Sequence, residues 1–341
     1  MELRSFILST LLLGFTSSVA ANTSKVSEEI DLVKQCILNE IIAGDKQQTI
    51  EQLRNYCAQL DAAKQLTSLD KRVARERVSE KNRNVLTPHY RNYILPVSYV
   101  SNPNTRPFDN LKDIDGETEE TLDNFEAKYQ LSLKVPLYHN FADNDQAIYM
   151  GFTLQSYWQV YNQDISSPFR ETNYEPELFW VNFLDDENVL WGDEMAVVLG
   201  ISHQSNGRSQ PNSRSWNRIY ANFIWEKNGF VFSFKPWYRL PEDDKLDILE
   251  AKGDDNPDIH KYMGYFEFSG VYRHKDHEFG FRTRNNLHSD NRGALQLDWS
   301  FPIWGRLRGY AQYFNGYGES LIDYNADIQR FGVGILLTDI L

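Results

Sequence analysis

A histidine and a serine two residues apart, His203 and Ser205, open the stretch of this chain whose residue types could do chemistry. It runs on through Asn206, Gly207 and Arg208 to Trp216 and Asn217. A serine hydroxyl is a poor nucleophile unless a neighbouring base takes its proton. Histidine suits that role near neutral pH, provided a third group fixes its tautomer and ring orientation. Asn217 could do so without carrying charge, an advantage beside an apolar medium where an unpaired carboxylate is expensive. Gly207, just past the serine, could present an unobstructed backbone N–H to a tetrahedral oxyanion. The chemistry such a set supports is acyl transfer through a serine ester.

Two strands must carry these groups. Val197 to Ser205 reads as one, with Val197, Leu199, Ile201, His203 and Ser205 on a single face because side chains alternate along a strand. Trp216 to Trp225 reads as the next, with Asn217, Ile219, Ala221, Phe223 and Trp225 together. Base, hydroxyl and amide thus fall at the polar ends of two apolar faces. At the strand rise, His203 and Ser205 lie about 6–7 Å apart at Cα, close enough for their side chains to meet. Alone, a His-x-Ser pair equally suits two polar residues that merely end a strand.

Arg4, the apolar run Phe6 to Phe15 and the small residues Ser18 to Ala21 form a secretory signal peptide over residues 1–20. That core is shorter than the ~20 residues a spanning helix needs, so a membrane form of the mature chain must be a barrel. The net charge of −13 argues against a nucleic-acid partner. Aromatic residues make up 14% of the chain, which suits interfacial girdles. A secreted β-sandwich with a Tyr-rich surface is the plainer alternative. Cys36 and Cys57 are the only cysteines, and an exported chain favours their pairing.

Residues 21–85 read as a disulfide-tied helical extension and linker. Ile30, Val33, Ile37 and Ile41 recur at helical spacing, as do Ile50, Leu53, Cys57 and Leu60. Ser68 to Asn84 is rich in charge and reads as a solvated linker or an extended helix. From residue 86 to 341 the period becomes 2. Tyr129 to Leu137, Ile148 to Leu154, Phe230 to Phe234, Leu295 to Phe301 and Phe331 to Leu337 each alternate apolar with polar residues. The opposite faces carry Ser132, Lys134, Gln155, Glu267, Arg282, Arg284 and Asp298, residues fit for a polar interior and costly against lipid. This part of the chain reads as an all-β, antiparallel transmembrane barrel, with about ten clear strands and two weaker ones.

The run from His203 to Arg218 resembles the outer membrane phospholipase A family of calcium-dependent barrel hydrolases. Further blocks of similarity are Ser166 to Pro176, Lys235 to Tyr238, Asp254 to Asp258 and Gly316 to Asn325, within a match from about Asn92 to Leu341. The resemblance implies twelve strands, a bacterial outer-membrane location with the active site toward the outer leaflet, and hydrolysis of phospholipid and lysophospholipid acyl esters. It implies Ser205 as nucleophile, His203 as base and then acid, and Asn217 as the residue orienting His203. It further implies activation by homodimerisation and one Ca2+ per active site. That ion would be held by the Arg208 carbonyl, the Ser213 hydroxyl and Ser166 of the partner subunit, with Asp255 a further candidate.

Two positions depart from the family pattern. Gln210 stands where a second, monomer-type calcium site has an acidic residue, and Leu154 stands where the dimer interface has a buried glutamine. The rival from another class is a non-catalytic channel or structural barrel. It shares the strands and the signal peptide but does not require His203, Ser205 and Asn217 on lipid-facing positions.

Overall fold

A computed structural model of the chain describes residues 68, 69, 71–73, 76, 86–111, 122–139, 146–184, 194–247, 249–305 and 307–339. All belong to the compact unit Thr67–Leu341. The expected signal peptide, the helical hairpin and the Cys36–Cys57 pair lie outside the described residues.

Twelve antiparallel strands close on themselves. They are β1 (Asn92–Val100), β2 (Phe125–His139), β3 (Gln146–Trp158), β4 (Phe169–Leu184), β5 (Glu194–Ser205), β6 (Ser215–Lys227), β7 (Phe230–Arg239), β8 (Phe266–His274), β9 (His277–Asn285), β10 (Gly293–Trp304), β11 (Leu307–Tyr317) and β12 (Asp327–Thr338). Each pairs with its neighbours in sequence, and β12 returns to β1, so no edge is left open. A two-residue bridge, Thr87–Pro88, adds to β2. Closure is what a sheet in hydrocarbon requires, because every backbone polar group must find a partner within the sheet.

The period-2 pattern explains both faces. Leu131, Met150, Leu178, Leu297, Trp299 and Val333 point outward and are exposed, as lipid-facing residues are in the isolated chain. Between them, Glu126, Lys128, Ser132, Asp298 and Arg330 point inward and are buried. The lumen is filled by ion pairs. Arg330 reaches Glu126 at 2.6 Å and Glu319 at 2.7 Å, Arg170 reaches Asp323 at 2.6 Å, and Lys128 reaches Glu319 at 2.9 Å. Among the described residues the lumen keeps cavities of about 120 and 200 Å³.

The two ends of the barrel differ. At one end β6 and β7 are joined by Asn228 and Gly229 alone, both at positive φ (53° and 77°), the backbone of a tight hairpin that favours glycine. At the other end long connections follow β1, β5 and β7. Two loops at this end fold inward: the one after β7 brings Ile259 and Met263, and the shorter one after β11 brings Leu321 and Tyr324. They pack on Trp216, Tyr220 and Trp237, so the long-loop end is capped by its own apolar core.

The charged segment read as a solvated linker or an extended helix contributes to this unit, and its described part is helix. Residues 68, 69, 71–73 and 76 are helical. The Ser68 and Leu69 N–H groups bond to Glu226 at 3.1 and 2.8 Å, and Glu76 pairs with Lys134 at 2.7 Å. A polar lumen accepts a charged helix that an apolar core would reject, which is why a charge run here is not simply solvated.

Candidate active site

At the long-loop end, β5 and β6 run side by side in a register that sets Ser205 opposite Ser215 and His203 opposite Asn217. The face assignment follows the alternation. Ser202 and Gln204 point inward, Ser202 being 5% exposed and Gln204 accepting a 2.7 Å bond from the indole of buried Trp216. His203 therefore points outward, beside Leu199, Ile201 and Ile219, each about half exposed (50%, 52% and 47%). The base lies on the wall that lipid chains would touch.

His203 and Asn217 meet at 2.8 Å between Nδ1 and Oδ1. An amide oxygen can only accept, so His203 Nδ1 carries the proton, and in the neutral ring Nε2 keeps its lone pair. That is the tautomer a general base needs. The Asn217 amide nitrogen in turn donates to Glu242 Oε1 at 3.1 Å, which fixes which end of the amide faces His203. Ser205 shares the outward face, its strand partners being Ser215 on β6 and Tyr174 on β4. Its hydroxyl makes no hydrogen bond among the described residues, so the His203–Asn217 half of the relay is assembled without a direct Ser205–His203 bond. Catalytic bonds of this kind often tighten only when substrate binds.

The loop after Ser205 is organised by Asn206, which is buried. Its Oδ1 accepts from the N–H groups of Arg208 (3.3 Å) and Arg214 (2.9 Å), and its Nδ2 donates to the Asn212 carbonyl at 2.9 Å. Gly207 sits at φ 63°, a conformation that disfavours a side chain, and a Cβ there would meet Tyr174 at 3.4 Å. The Arg208 guanidinium anchors the loop to β4 through Glu171 at 3.0 Å and the Arg170 carbonyl.

The candidate calcium residues fall on three loops. Ser213 Oγ donates to Asp255 Oδ2 at 2.6 Å, and Gln210 Nε2 donates to Asp255 Oδ1 at 2.8 Å. Lys245 also pairs with Asp255. Burial pushes the Asp255 carboxyl up, but the bonds from Lys245, Ser213 and Gln210 outweigh it and hold the group below the usual carboxylate range. The donor set fits calcium, since it is hard oxygen throughout and the Ser213 hydroxyl, with its proton engaged by Asp255, keeps its lone pairs for an ion. Ser166 lies in the separate loop between β3 and β4 at φ 59°, and none of its hydrogen bonds reaches the other candidates. Among the described residues no cluster of three His, Cys, Asp or Glu forms a self-contained metal site.

Sequence reasoning missed Glu242, Lys245 and Asn206. The first could have been found from the β6–β7 hairpin, whose two-residue turn sets Leu240 opposite Asn217 and so brings Glu242 near. Gln155 faces the lumen, donating to the Tyr93 hydroxyl at 3.2 Å, so neither it nor Leu154 offers an amide to the outer wall.

Comparison with known proteins agrees with this architecture. Residues 69–337 match the family model for phospholipase A1. The phospholipase A1 of Escherichia coli K12 is 41% identical over 215 residues, covering 63% of this chain and 70% of the relative. That of Proteus vulgaris is 35% identical over 255 residues, covering 75% and 82%. Among solved structures, the Salmonella typhi outer membrane phospholipase, a dimer with bound calcium, superposes with a TM-score of 0.66 at 36% identity. It covers 76% of this chain and 94% of that one. Outer membrane phospholipase A from Escherichia coli gives 0.64 at 36% identity, covering 75% and all of the solved chain.

Proposed function

The chain belongs to the phospholipase A1 family as a twelve-stranded outer-membrane barrel, and from that premise we propose that it cleaves phospholipid and lysophospholipid acyl esters with Ser205, His203 and Asn217. One observation carries the proposal: the 2.8 Å bond from His203 Nδ1 to Asn217 Oδ1, made on the lipid-facing wall beside Ser205. A channel has no use for such a pair outside its lumen, and this lumen is filled with ion pairs.

The chemistry follows from the tautomer. An acyl chain approaching along Leu199, Ile201 and Ile219 brings its ester carbonyl to Ser205. As Ser205 Oγ bonds to the carbonyl carbon, its proton passes to His203 Nε2, and the imidazolium is steadied by Asn217 Oδ1. The Gly207 N–H would donate to the oxyanion. Collapse breaks the bond to the glycerol oxygen, which takes the proton from His203. Water then attacks the acyl-serine, again losing its proton to His203. Fatty acid leaves, and Ser205 regains its proton.

The Arg208 carbonyl and Ser213 hydroxyl would hold calcium, with Asp255 steadying Ser213 and Ser166 of the partner subunit completing the site. Bound there, the ion would supply positive charge near the developing oxyanion. A monomer would then lack both Ser166 of the partner subunit and one wall of the acyl groove, so activity would depend on dimerisation.

The test is fatty-acid release from mixed phospholipid–detergent micelles by the wild type and Ser205→Ala, each with calcium or with chelator. Loss of release in Ser205→Ala and in chelator is expected. An active Ser205→Ala enzyme would overturn the assignment, and activity in chelator would overturn the calcium site.

A further inference from the structure

We propose that Glu242 is a positioning residue for this reaction: its carboxylate locks the Asn217 amide in the one orientation that serves His203, and sets a negative charge behind an otherwise neutral relay. The proposal rests on the Ser205–His203–Asn217 reading and extends it by one group.

The need for such a lock follows from amide chemistry. A carboxamide has an accepting end and a donating end of nearly equal shape. With its oxygen toward His203, it selects the tautomer with the proton on Nδ1 and the lone pair on Nε2. Flipped, it would offer N–H to Nδ1 and select the opposite tautomer, in which Nε2 carries a proton and cannot accept one from serine. His203 alone does not decide between these states, since either ring tautomer can satisfy one end of the amide. An ionised carboxylate does decide, because it only accepts. Glu242 Oε1, 3.1 Å from Asn217 Nδ2, therefore drives Oδ1 toward His203.

The backbone places Glu242 for this task. β7 ends at Arg239, and the Leu240 N–H bonds to the Asn217 carbonyl at 2.8 Å, pinning the start of the next loop beside the relay. Pro241 then limits the backbone that delivers Glu242. The charged groups that face Glu242 are Asp254, Asp255 and Arg239, and Arg239 is itself paired with Asp254 at 2.5 Å. Partial burial, then the charge of Asp254, push the Glu242 carboxyl above its usual value, while the bond from Asn217 and the charge of Arg239 pull it back. Its charge also answers the imidazolium that forms at the far end of Asn217, and it lies in a loop, where a carboxylate avoids the cost of contact with hydrocarbon.

The test is kinetic, on folded dimeric enzyme in saturating calcium, with Glu242→Gln, Glu242→Ala, Asn217→Ala and Asn217→Ala/Glu242→Ala. Glu242→Ala should lower kcat about 10-fold or more with KM unchanged. Glu242→Gln can face Asn217 with either end of its amide, so it should recover only part of that loss. Having lost the charge, it should also shift the acid limb of the pH–rate profile to lower pH. In the Asn217→Ala background, Glu242→Ala should change kcat less than 2-fold, because its effect passes through Asn217. Equal wild-type kcat in both Glu242 variants, or an undiminished effect in the Asn217→Ala background, would overturn the proposal. If Ser205→Ala and Asn217→Ala are also fully active, the relay itself is wrong; if they are impaired and only Glu242 is silent, the relay stands and this extension falls.

Discussion

Removing the Asn217 amide tests the relay at its one observed bond. Asn217→Ala deletes the acceptor 2.8 Å from His203 Nδ1 and changes little else, since among the described residues the same side chain makes one further bond, to Glu242. With the imidazole neutral the bond joins two neutral groups. When His203 takes the serine proton the bond becomes charge-assisted, and hydrogen bonds to charged groups contribute about 1.5–3 kcal/mol net. At 1.36 kcal/mol per tenfold, the loss of transition-state stabilisation corresponds to a fall in kcat of roughly 10- to 150-fold. Asn217 does not line the acyl path, so KM should hold within about 2-fold. The assay is initial fatty-acid release from mixed micelles, scaled to the folded fraction read by heat-modifiable gel mobility. Asn217→Asp sharpens the case. A second carboxylate would then lie about 3 Å from Glu242, and like charges that close cost on the order of 1–4 kcal/mol near a protein surface. The variant should be slower than wild type, and adding Glu242→Gln should restore it by removing the repulsion. Asn217→Ala with more than half of wild-type kcat, or Asn217→Asp faster than wild type without the second change, would refute the reasoning.

Two further outcomes follow from charges elsewhere. Glu126→Ala takes from Arg170 and Arg330 a carboxylate they share, at 3.0 and 2.6 Å in the intact protein, leaving each guanidinium one buried partner, Asp323 and Glu319, for two. Breaking a buried pair in this way costs about 3–5 kcal/mol, to be read as a lowered denaturant midpoint for the refolded barrel; a change under about 1 kcal/mol would contradict the ion-pair account of the lumen. Lys245→Met removes the ammonium that now neutralises Asp255 beside Ser213 and Gln210. The calcium concentration for half-maximal activity should then fall several-fold, and an unchanged calcium titration would mean that Asp255 does not report on the ion.

Fold and site were legible to different depths, for one physical reason. Alternation of apolar and polar residues is a local property, so the strands carrying Leu131, Met150, Phe232, Leu297 and Val333 could be read directly, and with them the outward face of His203. Pairing across strands is not local. That His203 stands opposite Asn217 depends on the loop 206–214 closing with a set number of residues, and that closure is governed by Asn206, whose four polar contacts reveal nothing in sequence. The lumenal residues were legible as polar but not as partners, since Glu126 and Arg330 lie 204 positions apart and Glu319 arrives from a loop folded inward. The segment around Leu69 and Glu76 left linker and helix open for a related reason: charge marks a solvated linker only where the alternative is an apolar core.

The placement of charge around the site shows why an amide and not a carboxylate orients His203. The lumenal carboxylates Glu126, Glu319 and Asp323 each have a guanidinium or ammonium within reach, because the interior offers room for both partners of a pair. The outer wall does not: beside His203 stand Leu199, Ile201 and Ile219, and a carboxylate at position 217 would face hydrocarbon with no cation to answer it. An amide there is neutral, and its weakness is that it can be held either way round. A charge is still useful to fix the amide, and it is tolerable once moved past the end of the strand. Glu242 sits in the loop that leaves β7, two residues beyond the Leu240–Asn217 backbone bond. On this reasoning the carboxylate of an ordinary serine relay has been withdrawn from the membrane by the length of one side-chain amide. Moving it back, by Asn217→Asp with Glu242→Gln, should leave a working enzyme with a lower denaturant midpoint in lipid bilayers than wild type. A double variant as stable in bilayers as wild type would remove the bilayer as the reason for the arrangement.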